Sequence, residues 1–211
     1  MFPSFDLGEF LITMVALVLS ITVHEFAHAF SAVKCGDDTP RRQGRISLNP
    51  IDHMDPMGTV MMVMSSLAGF GIGWGKPVQI NSGNFRNPRW DNLKVSLWGP
   101  LSNLLVALAV GTLLRFKGLS MEPHMVKFLI ILTFINISLA IFNLIPVAPL
   151  DGSHILSALL PIEQARAYDY FMMRNGMFVF LGLILLGNRI LPFILGPPSS
   201  FLWHLFTGFP G

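Results

Sequence analysis

Long apolar runs separated by short polar segments dominate this chain, and the first run carries no charge from Phe10 to Val23. A helix needs about 20 mainly apolar residues to cross a hydrocarbon core of about 30 Å. The pattern predicts three core spans, at 8–34, 91–115 and 128–146, and one further C-terminal span at 176–195. The predicted fold is therefore an all-α polytopic membrane protein, with residues 1–211 in a single membrane-embedded domain.

The apolar segment at 57–73 is short and ends in a glycine-rich piece, and it either crosses the membrane or re-enters on the same side. It predicts a re-entrant or β-hairpin insertion, which enters the membrane and returns on the same side. The extended segment Lys76 to Asn81 follows it. With this topology ten Lys and Arg residues lie on one side against three on the other, whereas a crossing segment would divide them seven to six. The positive-inside rule favours the re-entrant topology and makes the more basic side cytoplasmic.

Composition agrees with a membrane protein, because 12% of the 211 residues are charged and the mean hydropathy is +0.59. Soluble domains carry about 25% charged residues. The net charge of +2 gives no indication of a nucleic-acid partner. Cys35 is the only cysteine, so the chain can form neither an internal disulfide nor a cysteine-based metal site. A first apolar run this long, without a basic segment before it, predicts no cleavable signal peptide.

The first span contains the pattern H-E-x-x-H, formed by His24, Glu25 and His28 with two residues between Glu25 and His28. On a helix the two histidines lie one turn apart on one face, about 6 Å from each other. That spacing lets two imidazoles bind one Zn²⁺ ion, with Glu25 as the general base. The pattern therefore predicts a zinc site inside the membrane.

A catalytic zinc site needs a third protein ligand and an open position. Asp151 is the best candidate, because it follows the prolines at 146 and 149, which break the third span at membrane depth. Non-helical backbone is tolerated at that depth only where protein or a water-filled cavity can satisfy its N–H and C=O groups. Asn143, eight residues earlier, is predicted to donate a hydrogen bond to the oxyanion or to contact the substrate.

Taken together, these residues resemble the site-2 protease family of zinc intramembrane metalloproteases. The resemblance rests on His24 to His28, on Gly99-Pro100, and on the segment from Asn143 to Gly152 with its Pro-Leu-Asp-Gly ending. It implies a three-helix core with Asp151 as third ligand, and hydrolysis of peptide bonds in or near the transmembrane helix of a membrane protein substrate. The segments at 48–56 and 73–78 resemble a compact prokaryotic branch of the family, which implies a prokaryotic inner membrane.

Three other polar residues receive weaker predictions. His53 either reaches the metal site or holds its own loop through Asp52 or Asp55. His154 is predicted to be a surface or interface residue, although it is close enough in sequence to Asp151 to support it. Asn103 is expected to pack between helices.

Lys76 to Asn81 could pair with an unwound substrate by strand addition. Two other functions use the same residues: a non-proteolytic protein that binds or transports a divalent metal, and an inactive scaffold. The sequence leaves the substrate, its trigger and the oligomeric state open.

Overall fold

A computed structural model describes residues 6–67 and 75–209. Within these ranges the chain forms eight α-helices joined by short loops and 3-10 turns. The helices are α1 (Leu7–Cys35), α2 (Thr39–Arg42), α3 (Pro56–Leu67), α4 (Pro88–Lys117), α5 (Pro123–Asn143), α6 (Asp151–Leu159), α7 (Ile162–Leu185) and α8 (Gly187–Thr207).

Helices α1, α4 and α5 form the core, and each is long and apolar enough to cross a membrane. Near the start of α1 and α5, Lys127 Nζ lies 3.0 Å from Glu9 Oε2, and halfway along them Asn136 Nδ2 donates to Ser20 Oγ at 2.7 Å. These contacts at matching heights make α1 and α5 parallel, so α4, which connects back between them, runs antiparallel. The three-helix core and the all-α membrane fold are confirmed.

The core helices begin and end close to the predicted bounds. Helix α1 begins after Asp6, whose carboxylate accepts hydrogen bonds from two main-chain N–H groups of the first turn. It ends at Gly36, which has a φ of 112°, a backbone conformation that favours glycine. Helix α5 ends at Asn143, three residues earlier than predicted, because the chain already turns at 144–150 on its way past Pro146 and Pro149.

The two ends of the predicted re-entrant segment lie side by side. Met54 and Gly75 form an antiparallel bridge, and the Lys76 N–H donates to the His53 carbonyl at 2.8 Å. A single membrane crossing would separate these ends by about 30 Å. The described part of the insertion is helix α3 and this bridge, and it contains no β-strand; residues 68–73 of the predicted segment lie outside the described residues.

The C-terminal span predicted at 176–195 is not one continuous helix. Helix α7 begins at Ile162, well before the apolar run, and ends at Leu185; the next helix leaves at an angle of 83°. The break coincides with Gly187, Asn188 and Arg189, the polar interruption of that run. Helix α8 continues to Thr207 and packs Phe206 against Ala107 of α4 and Ile137 of α5. The C-terminal end of α8 therefore covers part of the core.

Candidate metal centre

Two histidines from α1 and one aspartate from the start of α6 meet inside the core. The Nε2 atom of His24 lies 3.0 Å from Nε2 of His28. Asp151 faces both rings, with Oδ2 3.2 Å from His24 Nε2 and Oδ1 3.3 Å from His28 Nε2. All three side chains are largely hidden from solvent, with ligand atoms within 4.8 Å of one another. The structure therefore brings together the three predicted metal ligands.

Helix α6 delivers Asp151 because the chain turns tightly before it. A Cβ on Gly152 would lie 2.3 Å from the Leu144 carbonyl oxygen and 2.4 Å from that of Ile145, so only glycine allows this approach. The Ser153 hydroxyl donates to the Leu150 carbonyl at 2.7 Å. The Pro-Leu-Asp-Gly segment thus forms a compact turn that fixes the first residue of α6.

Gly99 lets α4 lie directly against the two imidazoles. A Cβ at this position would lie 2.3 Å from His28 Nε2 and 2.7 Å from His24 Cε1. Ordinary carbon contacts are about 3.5–4.0 Å. The missing side chain of Gly99 therefore creates the space that the histidine rings occupy.

Both imidazoles use Nδ1 for a protein hydrogen bond. His28 Nδ1 lies 2.8 Å from the Val95 carbonyl oxygen, which can only accept, so this nitrogen carries the proton. His24 Nδ1 lies 2.7 Å from Asn103 Oδ1. In neutral rings with this arrangement, both Nε2 atoms direct lone pairs at each other and at Asp151.

The cluster consequently holds acceptors without a donor, and Oδ2 of Asp151 is buried without a hydrogen bond. Such a group is costly unless a cation satisfies it. Two neutral imidazole nitrogens and a carboxylate are a ligand set that suits catalytic zinc. Histidine ligands of zinc usually donate a hydrogen bond from their other ring nitrogen, as the two Nδ1 atoms do here, and this bond orients the ring. The residues present therefore fit a Zn²⁺ ion.

Glu25 lies on α1 between the two histidines and is half-buried. Its Oε2 accepts a hydrogen bond from the Val78 main-chain N–H at 3.0 Å. This contact ties the predicted base to the segment Lys76 to Asn81. The segment thus runs beside the candidate site, a proximity that sequence spacing alone did not indicate.

Arg45 also contacts the segment Lys76 to Asn81, through the main chain of Lys76. This arginine is 2% exposed, and its guanidinium donates to the main-chain carbonyls of Asp52 and Lys76. Burial lowers the pKa of Arg45, and the charges of Glu25 and Asp52 oppose that change. Arg45 therefore links the loop after α2 to the segment that contacts Glu25.

The remaining predicted site residues lie elsewhere. His53 is buried, and its Nε2 donates to the Ser47 carbonyl at 2.7 Å, so it holds its own loop, although through Ser47 and not through Asp52 or Asp55. The Asn143 amide donates to the Leu139 carbonyl of its own helix at 3.0 Å, and its oxyanion role stays a prediction.

His154 starts the next turn of α6 on the exposed side and has no hydrogen bond or ion pair within the described ranges. The structure therefore places His154 at the surface, as one of the two expectations has it, and its support of Asp151 stays a prediction.

Sequence reasoning missed the supporting roles of Asn103 and Arg45. Asn103 does pack between helices as expected, but it also bonds to His24. The available signal was its position four residues after Gly99, one turn along α4 from the contact with the imidazoles. Arg45 offered no signal beyond its charge.

Comparison with known proteins agrees with this geometry. The family model described as Peptidase family M50 matches residues 111–186. "Putative zinc metalloprotease YwhC" from Bacillus subtilis is 36% identical over 208 residues, covering 92% of this chain and 90% of that protein. "Putative zinc metalloprotease Rip2" from Mycolicibacterium smegmatis is 30% identical over 169 residues, covering 78% of this chain and 63% of the relative. No solved structure matches the chain. With a relative of this similarity over nearly its whole length, the chain belongs to peptidase family M50, the site-2 proteases.

Proposed function

We propose that this chain is a zinc metalloendopeptidase that hydrolyses peptide bonds in or near transmembrane segments of membrane proteins. The observation that carries the proposal is the meeting of His24, His28 and Asp151 within a bundle of membrane-spanning helices. His24 lies seventeen residues into α1, about 25 Å from its start at 1.5 Å per residue. Membership of a peptidase family and relatives named zinc metalloproteases support the same activity.

Each residue of the site has a role in this reaction. His24, His28 and Asp151 hold the zinc ion, which when bound supplies Lewis-acid polarisation of water and of a substrate carbonyl. Glu25 takes the proton of the attacking water and passes it to the leaving amine. Asn143 donates to the developing oxyanion once its amide turns from the Leu139 carbonyl.

The segment Lys76 to Asn81 is a candidate substrate-binding edge. It follows the Met54–Gly75 bridge, contains no helix, and contacts Glu25 through the Val78 N–H. A substrate helix must unwind before its peptide bonds are accessible, and an extended edge can pair with the unwound strand. The contact with Glu25 would put the paired peptide beside the base.

We further propose that the site opens to the cytoplasm of a prokaryotic cell. The parallel arrangement of α1 and α5 and the pairing of Met54 with Gly75 are what the re-entrant topology requires. That topology collects ten of the basic residues on the side where α1 ends. The excess of Lys and Arg identifies this side as cytoplasmic.

The second candidate function is binding or transport of a divalent metal by the same three ligands, and Glu25 separates the two. In liposomes that contain single-span model substrates, Glu25→Gln should lower cleavage by about 10²- to 10⁴-fold, because general base catalysis is lost. Zinc content should stay at the wild-type level. The matched control is Glu9→Gln on the same helix, whose carboxylate pairs with Lys127 far from the site.

Three results would contradict parts of the proposal. Cleavage by Glu25→Gln at the wild-type rate would exclude Glu25 as the base. Full loss of zinc in this variant would give Glu25 a structural role. Zinc-loaded wild-type protein that moves zinc across the liposome membrane, cleaves no substrate, and keeps its flux in Glu25→Gln would establish the transport function.

A further inference from the structure

A row of buried amide side chains lies behind His24 and connects all three core helices. His24 Nδ1 contacts Asn103 Oδ1 of α4 at 2.7 Å. The Asn103 amide nitrogen donates to Asn136 Oδ1 of α5 at 2.8 Å and to the Ser20 carbonyl of α1 at 3.1 Å. The Asn136 nitrogen donates to the Leu132 carbonyl and to Ser20 Oγ, at 2.8 and 2.7 Å. Asn103 and Asn136 are 0% exposed.

The direction of this row is fixed by main-chain carbonyls, which can accept a hydrogen bond but not donate one. The Leu132 carbonyl requires the nitrogen of Asn136 to face it, so Asn136 Oδ1 must face Asn103. The Ser20 carbonyl likewise requires the nitrogen of Asn103. A reversed Asn103 amide would set its oxygen against two acceptors and leave buried polar groups without a hydrogen bond, which is unfavourable.

A consequence for His24 follows from this direction. Because Asn103 must present its oxygen, the ring nitrogen that faces it must carry the proton. In the neutral ring, Nε2 is then left as the acceptor that faces Asp151. His28 needs no such row, because its Nδ1 bonds directly to the Val95 main-chain carbonyl. The two ligands therefore have their tautomers set in different ways.

We infer that Asn136 is a positioning residue for the metal centre: acting through Asn103, it fixes the tautomer and ring orientation of His24 that zinc binding requires. The inference rests on the proposed function for the identity of the metal. It assigns to α5 a part in a site whose ligands come from α1 and α6. Groups that support metal ligands in this way change metal affinity by about 10–100-fold when removed.

The test compares zinc affinity, measured by chelator competition, in four single variants and one double variant. Asn136→Leu keeps the side-chain volume and removes the acceptor for Asn103; it should weaken zinc binding about 10-fold. Asn136→Asp, which burial keeps in its neutral acid form, retains an acceptor oxygen for Asn103 and an O–H donor for the Leu132 carbonyl, and should stay within about twofold of the wild type. Thr133→Val is the matched control on α5, because it removes a buried hydroxyl whose hydrogen bond, among the described residues, is to the Leu129 carbonyl.

A double-variant cycle separates positioning from simple packing. If Asn136 acts through Asn103, then Asn103→Leu alone should weaken zinc binding as much as Asn103→Leu combined with Asn136→Leu. In zinc-free protein, the ¹⁵N shifts of His24 should report protonated Nδ1 in the wild type and a mixture of tautomers in Asn136→Leu. The Thr133→Val control should match the wild type in both measurements.

Wild-type zinc affinity or an unchanged His24 tautomer in Asn136→Leu would overturn the inference, since the Ser20 carbonyl would then suffice to orient Asn103. Additive losses in the double variant, or equal loss in Thr133→Val, would also overturn it, because they indicate general destabilisation. All these readouts are independent of proteolysis. Wild-type protein that binds zinc without cleaving any substrate would refute the proposed function while leaving this inference standing.

Discussion

Replacing Gly99 by alanine should remove zinc binding while the helical fold survives. The added methyl group would lie 2.3 Å from His28 Nε2 and 2.5 Å from His28 Cε1, with His24 Cε1 at 2.7 Å. The two rings cannot give way independently, because each is held at Nδ1, one by Val95 and the other by Asn103. Relief of the contact requires moving an imidazole or separating α4 from α1.

The size of this displacement follows from the distances. Ordinary contacts with a methyl carbon are about 3.5 Å or more, so His28 Nε2 must move by roughly 1 Å. Zinc–nitrogen distances lie near 2.0–2.1 Å and tolerate changes of about 0.2 Å. The ring shift is thus about five times the tolerance of the site, and zinc affinity should fall at least 100-fold. Overpacking should also cost about 1–3 kcal/mol of stability.

The assay is zinc content of purified protein after dialysis against a chelator of known affinity, combined with thermal unfolding in detergent. The matched control is Gly111→Ala, on the same helix α4 as Gly99 but far from the imidazoles. Its Cβ would lie 2.8 Å from Phe206 Cβ of α8. Both variants should lose similar stability, but only Gly99→Ala should lose zinc. Zinc retention by Gly99→Ala, or equal zinc loss in Gly111→Ala, would refute the reasoning.

Two further predictions concern the turn before α6 and the loop after α1. Gly152→Ala should also lose zinc, because its Cβ meets fixed main-chain oxygens, whereas Gly182→Ala, with nothing within 4 Å, should bind zinc normally; equal zinc content in both would contradict the packing argument. Burial raises the pKa of Asp37, but hydrogen bonds from Thr39, Asn84 and Asn81 outweigh it and hold the pKa below its usual value.

The stability that Asp37 contributes is therefore complete above pH 4, near its unfolded-state pKa of about 3.9, and is lost as the pH falls through the lower folded-state pKa. Asp37→Asn should unfold more easily at pH 7, by about 1–3 kcal/mol, and should lose less stability on acidification than the wild type. The measurement is thermal unfolding between pH 7 and 3. The control is Asp38→Asn, whose carboxylate is half exposed in a surface pair with Arg41; identical pH profiles for both variants would contradict the assignment.

The cluster of His24, His28 and Asp151 could be predicted because such residue types are costly in a membrane without a function. His24 and His28 follow helical spacing, and Asp151 follows two prolines that break the same span twice. The supporting contacts could not be predicted in the same way. Asn103 and Asn136 are residues that commonly join membrane helices, and their direction depends on carbonyls that sequence does not reveal.

The bend within the predicted C-terminal span was not predicted, for a related reason. Hydropathy counts apolar residues but does not report helix direction, so the polar interruption at Asn188 and Arg189 is visible in the sequence, whereas the angle of 83° between α7 and α8 is not. In the region of the insertion, the extended segment at Lys76 was expected, but its contact with Arg45 was not. Within the described residues this buried arginine bonds to main-chain carbonyls, which leave no pattern in the sequence.

The hydrogen bond from Val78 to Glu25 has a consequence for how this protein should be mutated. The donor is a main-chain N–H, so every side chain except proline leaves it intact. An alanine scan from Lys76 to Asn81 would therefore leave this hydrogen bond to Glu25 untested. Proline at position 78 would remove substrate pairing and the Glu25 contact together, so tests of strand addition belong at Gln79 or Ile80, which leave the carboxylate tethered.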